Sequence, residues 1–429
     1  MQKLTIPQAL AMVQNGYHIA SGLGAAEGQA FLSQLHTVEA RDITLTTCLS
    51  LRSYPFMEAQ YAHIFTNESI FLSPPTRAMQ GAGNVSYIPS HLQHCGVKRL
   101  QHIRPNIYVG AAGMPDKHGY VSLSVSNTYE RRMIDAADVV ILEVNPNYPR
   151  TFGDVELHTN DVDYFIEVDY AVPELGVAPV GELDAAIGAH IAGYINDGDC
   201  LQLGIGAIPN AVADALMNKR NLGIHTEMLG NGLVKLLRSG AVTNKRKTLH
   251  PGKTLATFAL GTREVYDYIN DNPSVLFFDA NYVNDPYVIA QNDNQVSINT
   301  TLEIDLTGQC CSESIGARQY SGSGGQADTA IGAQRARGGR SFIALYSTAM
   351  IKNENGERER VSKIVPMLKQ GATVTLSRND VDFVVTEYGV AALRGTSLAE
   401  RARRLIAIAH PDYRAQLTEC QVAEGATRP

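Results

Sequence analysis

Short apolar runs without polar alternation recur along the chain, and several lead into glycine and then into a helical pattern. The segments HIASGLGAAEGQAFLSQL, from His18, and CLQLGIGAIPNAVADAL, from Cys200, each predict a strand, a glycine loop and a helix. Four further strands are predicted at 138–145, 274–281, 340–347 and 382–389. Strands rich in Val, Ile and Phe that alternate with helices indicate parallel sheets covered on both faces.

The two strand–loop–helix segments begin about 180 residues apart, which suggests two parts of similar plan. The chain has 429 residues, more than one ordinary hydrophobic core contains. Between the two segments, VPELGVAPVGELD at 172–184 is rich in Pro and Gly and predicts a linker. We therefore expect two open α/β domains with mainly parallel sheets, an N-terminal one over 1–180 and a C-terminal one over 181–429.

Composition narrows the possible partners and the cellular location. The chain has 36 Lys and Arg against 43 Asp and Glu, a formal net charge of -7, which does not favour nucleic-acid binding. No apolar run approaches the roughly 18 residues of a membrane span, and the N-terminus lacks the apolar core of a signal peptide. The six cysteines are scattered without a CxxC pair. These features predict a reduced, cytoplasmic protein without a membrane partner.

A single acid, Glu227, lies in LGIHTEMLGNG (222–232) between uncharged neighbours and a glycine-rich turn. Such surroundings do not suit a solvated acid, so Glu227 is a candidate for chemistry; an acid that caps a turn is the alternative. A carboxylate is already ionised at pH 7 and can act as a nucleophile in acyl transfer.

Two glycine loops are candidate ligand sites. Gly204 and Gly206 follow a predicted strand and can present backbone N–H groups and a helix N-terminus to an anion. A dinucleotide fingerprint would need a third glycine where Pro209 stands, although Glu227 falls near the expected acid. Dinucleotide binding and a purely structural turn remain alternatives.

The second loop, YSGSGGQAD at 320–328, has three glycines that leave the backbone open to a ligand; a surface hairpin turn is the alternative. HExxH, EF-hand and cysteine–histidine patterns are absent from the sequence, which predicts no metal. Cys310 and Cys311 have no identifiable histidine partner and are interpreted as core residues.

Seven segments in order carry a family resemblance: TRAMQGAGNVSYIPSHL, QLGIGAIPNA, HTEMLGNG, TLHPGKTLATFALGT, NDPYVIAQNDNQVSINTTLEIDLTGQ, SGSGGQAD and TEYGVAALRGTSLAERARRLIAIAHPDY. Over nearly its full length the chain resembles the acetyl-CoA hydrolase/transferase family, and within it the butyrate and 4-hydroxybutyrate CoA-transferases. The resemblance implies the CoA-transferase type of α/β fold.

The resemblance also implies roles for particular residues. Glu227 matches the catalytic glutamate, and Asn281 looks like the asparagine that orients it. Gln202 and Gly204 match residues that hold the reacting thioester carbonyl. The implied contacts to CoA and to the oxyanion come from Gly204, Ile205, Gly206, Ala207 and Ile208 and from Gly322, Gly324 and Gly325.

The implied activity is a ping-pong exchange of CoA between a short-chain acyl-CoA and a free carboxylate, through an acyl-glutamyl anhydride and a glutamyl-CoA thioester. Backbone N–H groups of Gly204 and Gly325 and the Gln202 amide are the expected oxyanion donors. Coenzyme A enters as a substrate, no tightly bound cofactor is expected, and the resemblance favours a homo-oligomer, a dimer or a tetramer. An acyl-CoA hydrolase on the same scaffold and a non-catalytic CoA- or nucleotide-binding module are the rival hypotheses. Acetate, butyrate, 4-hydroxybutyrate, succinate and itaconate all remain possible acids.

Overall fold

The structure is a computed structural model that describes residues 1–352 and 355–423. The larger of its two main sheets lies in the N-terminal half of the chain. Its eight strands, in spatial order, are Gln2–Lys3, Tyr164–Glu167, Val139–Val144, Ile107–Ala112, His18–Leu23, Ile43–Cys48, Phe65–Ser69 and Val85–Tyr87, and all are paired in parallel. Ile19 and Val109 pack into one hydrophobic cluster, whereas Ala20 and Tyr108 pack into another. Both faces of the sheet are therefore buried, which is why its strands lack polar alternation.

A six-stranded sheet forms the centre of the C-terminal half. Its strands, in spatial order, are Gly223–Ile224, Cys200–Leu203, Gln295–Thr300, Arg340–Ala344, Phe383–Thr386 and Gly389–Ala392. All neighbours are parallel except the last two strands, which pair antiparallel. The carboxyl ends of parallel strands meet at one edge of a sheet, where ligands of open α/β folds commonly bind.

Helices cover these sheets. In the N-terminal half the α-helices are Ile6–Leu10, Gln29–Gln34, Pro74–Met79, Cys95–His102 and Glu130–Ala136. In the C-terminal half they are Glu182–Ala192, Ala207–Ala215, Asn231–Ser239, Arg263–Ile269, Ala280–Val283, Pro286–Ile289, Gln326–Arg335, Leu398–Ala407 and Pro411–Ala423. In the described residues, no helix has both the length and the apolar character needed to cross a membrane.

Smaller sheets connect the helices and loops. Five of them are Tyr120–Ser122 with Glu156–His158, Met228–Leu229 with Phe258–Ala259, Glu303–Asp305 with Cys310–Cys311 and Ile364–Val365, Ser314–Ile315 with Arg318–Gln319, and Thr348–Lys352 with Arg358–Ser362.

The sixth small sheet contains strands from both halves of the chain. Phe152–Gly153 pairs with Val275–Phe277, which in turn pairs with Thr254–Ala256. Gly153 has φ +121°, and a Cβ there would lie 2.2 Å from the carbonyl oxygen of Phe277, so this close approach requires glycine. We call this the shared sheet, because each half contributes a strand to it.

The predicted fold class, α/β with mainly parallel sheets, is confirmed. One predicted strand, 274–281, is shorter in the structure and spans Val275–Phe277. It ends early because the Asp279 carboxylate accepts a hydrogen bond from the Asn281 N–H (2.7 Å) and so caps the helix Ala280–Val283. The division of the chain at residue 180 stays a prediction.

Candidate active site

Glu227 lies in a short connection that is fixed through its main chain. The next two residues, Met228–Leu229, form a strand parallel to Phe258–Ala259. The Glu227 carbonyl oxygen accepts hydrogen bonds from the Thr257 N–H (2.9 Å) and from the Thr257 hydroxyl (3.1 Å). The strand pairing and these hydrogen bonds fix the main chain at Glu227, which limits the positions that the carboxylate can take.

The Glu227 carboxylate has two hydrogen-bond donors and an environment that opposes its charge. Asn284 Nδ2 donates to Glu227 Oε2 over 2.8 Å, and the Gly325 N–H also donates to the carboxylate. Burial raises the pKa of Glu227 to about 7, although both hydrogen bonds act in the opposite direction. A carboxylate that is poised near neutral pH and held by two donors is suited to chemistry.

His225 connects the glutamate segment to the helix that carries Asn284. Its Nε2 lies 2.7 Å from the carbonyl oxygen of Val283, and Nδ1 is 3.0 Å from the Asn292 amide nitrogen. Burial lowers the pKa of His225 to about 3, so the ring is neutral. Both ring nitrogens of His225 are thus engaged, and the ring connects the glutamate segment to Val283, the residue before Asn284.

The second glycine loop passes directly beside the glutamate. A Cβ on Gly325 would lie 2.0 Å from Glu227 Oε2 and 2.1 Å from Asn284 Nδ2, while one on Gly324 would lie 3.7 Å from Glu227 Oε1. Gly324 also has φ +53°, a conformation that favours glycine. Gly322 packs elsewhere: a Cβ there would lie 2.6 Å from the carbonyl oxygen of Ile70. One end of the loop thus packs against the N-terminal half of the chain at Ile70, and the other end lies beside Glu227.

A segment of the N-terminal half, Ser90–Gln93, holds this loop, and we call it the clamp segment. The Ser323 hydroxyl donates to the Ser90 carbonyl oxygen (2.7 Å), and the Leu92 N–H donates to the Gly324 carbonyl oxygen (3.0 Å). The Gln93 N–H donates to Asp328 Oδ2 (3.1 Å). The surroundings of Glu227 are therefore built from both halves of the chain.

The first glycine loop lies beside a cavity. Gly204, Ile205 and Gly206 line a cavity of about 250 Å³ whose wall also includes Met228, the residue after the glutamate. Gly206 has φ +118°, and Ile205 is 44% exposed. Ala207 and Ile208 are the first residues of the helix that follows, with Ile208 buried.

A second cavity, of about 490 Å³, shares several wall residues with the first. Both cavities are lined by Val177, Ala178, Asn210, Asn231 and Gly232. Lys235 contributes a cation to the second cavity and pairs there with Asp214, with 2.6 Å between Nζ and Oδ1. A long, flexible ligand would find room along this surface.

Two of the expected oxyanion donors are already occupied. The Gly204 N–H donates to the carbonyl oxygen of Ile298 (3.0 Å), which extends the pairing of the central strands by one residue. Gln202 Nε2 donates to Asn299 Oδ1 (3.1 Å), and Gln202 Oε1 accepts from Ser297 and from the Ile298 N–H. Of the three predicted donors, only the Gly325 N–H points at the glutamate.

Asn281 does not make the contact expected of it. Its Oδ1 accepts from Arg132 (3.1 Å) and its Nδ2 donates to the Gln93 carbonyl oxygen (3.1 Å), so it binds the clamp segment. Asn284, three residues later and just after the same short helix, binds Glu227 instead. Within the motif DANYVND it is thus Asn284, and not Asn281, whose amide contacts the glutamate.

Asp328 is a second acid near the glutamate that the sequence did not single out. It is 1% exposed, and burial raises its pKa to about 7, with the Glu227 charge adding to the shift. It lies three residues after Gly325, in the first turn of the helix Gln326–Arg335. In the described ranges, 1–352 and 355–423, no group of three or more His, Cys, Asp or Glu residues is arranged to hold a metal ion.

The two mainly parallel sheets, with a half-buried glutamate where both halves of the chain meet, are those of an α/β protein with a candidate carboxylate nucleophile. Residues 2–175 match the acetyl-CoA hydrolase/transferase N-terminal domain, and residues 261–421 match the C-terminal domain of the same family. The chain therefore belongs to the acetyl-CoA hydrolase/transferase family, and the resemblance seen in the sequence motifs is confirmed.

Named relatives match over most of the chain. It is 46% identical over 354 residues to the 4-hydroxybutyrate coenzyme A transferase of Clostridium kluyveri, covering 82% of this chain and 81% of that one. It is 43% identical over 422 residues to the succinyl-CoA:cyclohexane-1-carboxylate CoA transferase of Geobacter metallireducens, covering 97% and 94%. The crystal structure of RipA from Yersinia pestis superposes with a TM-score of 0.92 at 36% identity, covering 99% and 98%.

Proposed function

We propose that the protein is a CoA-transferase that exchanges CoA between a short-chain acyl-CoA and a free carboxylic acid, with Glu227 as the nucleophile. The observation that carries this proposal is the position of the Glu227 carboxylate, 2.8 Å from Asn284 Nδ2 and beside the Gly325 N–H, where it lies between both halves of the chain. Relatives at 46% and 43% identity that are named CoA-transferases support the same reaction.

The first half-reaction converts the carboxylate into a thioester. A Glu227 carboxylate oxygen attacks the acyl carbonyl carbon of the acyl-CoA, a C–O bond forms, and the C–S bond breaks to release CoA thiolate. The thiolate then attacks the glutamyl carbonyl carbon of the resulting anhydride, and the substrate acid leaves as a carboxylate. Glu227 is left as a glutamyl-CoA thioester.

The second half-reaction runs the same steps backwards with a different acid. The incoming carboxylate attacks the glutamyl thioester carbonyl, and CoA thiolate leaves and then attacks the acyl side of the new anhydride. The products are a new acyl-CoA and a free Glu227 carboxylate. Each bond that breaks is replaced by one of the same kind, so the exchange needs no ATP.

Asn284 and Gly325 can stabilise charge on the glutamyl group itself. When thiolate or an acid attacks the glutamyl carbonyl, its oxygen becomes an oxyanion; Asn284 Nδ2 lies 2.8 Å from Glu227 Oε2, and the Gly325 N–H is directed at the same carboxylate. A donor of this kind contributes roughly 3–4 kcal/mol in related acyl transfers. Of the donors expected from the sequence we thus retain the Gly325 N–H, and Asn284 takes the place of the Gly204 N–H and the Gln202 amide.

The two adjoining cavities fit the CoA part of the substrate in this proposal. The wall that runs from Gly204 to Gly206 approaches the residue next to Glu227, and the further cavity, where Lys235 pairs with Asp214, continues the same surface. On the side of Gly325 the backbone passes directly beside the carboxylate, which only a residue without a Cβ allows. Homo-oligomer formation and a cytoplasmic location stay predictions.

Mass spectrometry of the protein after brief incubation with acetyl-CoA or butyryl-CoA, without an acceptor acid, tests the proposal. We expect a CoA adduct on the peptide that contains Glu227, removable by hydroxylamine and absent from Glu227→Gln. Glu143→Gln is the matched control, because Glu143 is a buried acid whose donors, the Ala30 and Phe31 N–H groups and the Tyr170 hydroxyl, do not belong to the proposed site. This variant should still form the adduct.

Two other outcomes would each support a different function. Steady release of CoA thiol without an acceptor and without an adduct would favour the hydrolase activity that the family description also covers. Binding of CoA with neither adduct nor turnover for any of the five candidate acids would favour a non-catalytic module.

A further inference from the structure

The peptide unit between Gly324 and Gly325 lies between the clamp segment and the glutamate. Its carbonyl oxygen, on Gly324, accepts the Leu92 N–H over 3.0 Å. Its N–H, on Gly325, is directed at the Glu227 carboxylate, and a Cβ on Gly325 would lie only 2.0 Å from Glu227 Oε2. One peptide unit thus connects a donor of the N-terminal half to the proposed nucleophile.

The two ends of this peptide unit cannot turn independently. A trans peptide is planar, so its C=O and its N–H point in opposite directions and rotate together. A donor that holds the Gly324 carbonyl oxygen on one side therefore fixes the direction of the Gly325 N–H on the other side. The Leu92 N–H is such a donor.

Glycine on both sides makes this peptide unit easy to rotate unless it is held. Neither Gly324, with φ +53°, nor Gly325, with φ -99°, has a Cβ that would oppose a turn of the peptide plane. If the plane turned over, the Gly324 carbonyl oxygen would face the Glu227 carboxylate, and two acceptors in contact repel each other. The N–H of Leu92, a buried residue, would also lose its partner, which costs free energy.

The clamp segment is itself held at both of its ends. The Ser323 hydroxyl donates to the Ser90 carbonyl oxygen over 2.7 Å. At the other end, Asn281 Nδ2 donates to the Gln93 carbonyl oxygen over 3.1 Å. Leu92 lies between these contacts, and its side chain is buried in a hydrophobic cluster. Its N–H therefore holds the glycine loop from a fixed position.

We propose that Leu92 is a positioning residue of the transfer reaction, whose N–H holds the Gly324–Gly325 peptide so that the Gly325 N–H stays directed at Glu227. This inference rests on the proposed function, because the benefit is to the nucleophile and to the oxyanion that forms on it. Leu92 acts through this peptide unit and not on the substrate.

Leu92→Pro in the full-length protein tests this role, because proline has no N–H. The substitution suits the local backbone: Leu92 is the first residue of the short 3₁₀ helix Leu92–His94, and His91 has φ -63° and ψ 144°, an extended conformation that proline tolerates before it. We expect kcat to fall roughly 10- to 100-fold, the range for loss of a hydrogen bond to a charged group, with KM for both substrates changed by less than about threefold.

The pH dependence of Leu92→Pro provides a second readout, which a merely structural role would not change. A carboxylate that loses a hydrogen-bond donor has a higher pKa, because the donor stabilises the charged form. The acidic limb of the kcat/KM profile, which reports the ionisation of Glu227 in the proposed mechanism, should therefore move to higher pH than in wild type.

Two controls separate the N–H from its surroundings. Leu398→Pro makes the same substitution at the first position of the helix Leu398–Ala407, after Ser397 with φ -68° and ψ 162°, and kcat should stay within about twofold of wild type. Leu92→Ala retains the N–H but removes the buried side chain, so it should lower the melting temperature and leave the acidic limb in place.

If Leu92→Pro does not fold, Ser323→Ala replaces it as the test. This variant removes the hydroxyl that binds the glycine loop to the Ser90 carbonyl oxygen. We expect a smaller loss of kcat, roughly 3- to 10-fold, with the acidic limb again moved to higher pH. A folded Ser323→Ala that matches wild type in both measurements would then overturn the inference.

For a folded Leu92→Pro, three results would overturn the inference: kcat within about twofold of wild type, an acidic limb that does not move, or the same changes in either control. Failure of the proposed function has a different signature, since wild-type protein would then form no CoA adduct and transfer no CoA. A wild-type enzyme that forms the adduct, together with a fully active Leu92→Pro, refutes only the role of Leu92.

Discussion

Replacing Gly325 by alanine adds one methyl group at the most crowded point of the proposed site. The backbone of Gly325 has φ -99° and ψ 17°, which alanine adopts without strain, so the effect is purely steric. The new Cβ would lie 2.0 Å from Glu227 Oε2 and 2.1 Å from Asn284 Nδ2, whereas real Cβ contacts essentially never fall below 3.0 Å. The carboxylate must therefore move by about 1 Å, and the 2.8 Å hydrogen bond from Asn284 is lost.

A displacement of about 1 Å at a reacting group can cost roughly 100-fold in rate. We expect Gly325→Ala to lower kcat by at least about that factor, while overpacking lowers the free energy of unfolding by only about 1–3 kcal/mol. The assay follows acyl-CoA exchange with an acceptor acid, and thermal melting confirms that the variant is folded.

The matched control for this substitution is Gly81→Ala. Gly81 has an ordinary φ and open space where a Cβ would be added, so the control should behave as wild type. A folded Gly325→Ala with kcat within about threefold of wild type would refute the steric reasoning and, with it, the proposed position of the nucleophile.

Three further predictions concern the glutamate and its neighbours. Because only the ionised nucleophile reacts and burial raises the pKa of Glu227 to about 7, kcat/KM should fall about tenfold per unit well below pH 7; a flat profile from about pH 5.5 to 8.5 contradicts this. The raised pKa also means that the Glu227 contribution to stability is lost as pH rises from about 4.5 to 7. Glu227→Gln should therefore be more stable than wild type by roughly 1–3 kcal/mol at pH 8 and show little difference at pH 4.5 in chemical denaturation. Asn284→Ala should reduce kcat roughly 10- to 100-fold, and Asn281→Ala should reduce it less because Asn281 contacts the clamp segment; equal kcat losses would contradict that order.

The sequence predicted those residues of the candidate site that stand out from their local surroundings. Glu227 is conspicuous because its neighbours are uncharged, and Gly324 and Gly325 because glycines cluster there. The fold class followed from apolar runs without alternation, which the structure explains by burial of both sheet faces, as Ile19 and Ala20 illustrate.

Features that depend on pairing across the chain could not be predicted. Nothing local distinguishes Asn281 from Asn284; the difference is that Asn281 meets the clamp segment, which lies 188 residues away in sequence. The Gly204 N–H resembled a free donor because the loop begins there, but the strand pairing continues one residue further and uses it. Asp328 lies in the first turn of a helix, and only the fold brings Gln93 to it.

The shared sheet has a consequence for how such a protein can evolve. Phe152–Gly153 belongs to the N-terminal half of the chain, but its pairing partner, Val275–Phe277, belongs to the C-terminal half, and the contact requires a glycine at position 153. The halves are therefore not interchangeable modules, because recombination with a divergent relative would have to preserve both edges of this sheet. Chimeras joined between residues 153 and 275 should therefore fold poorly unless both strands come from one parent.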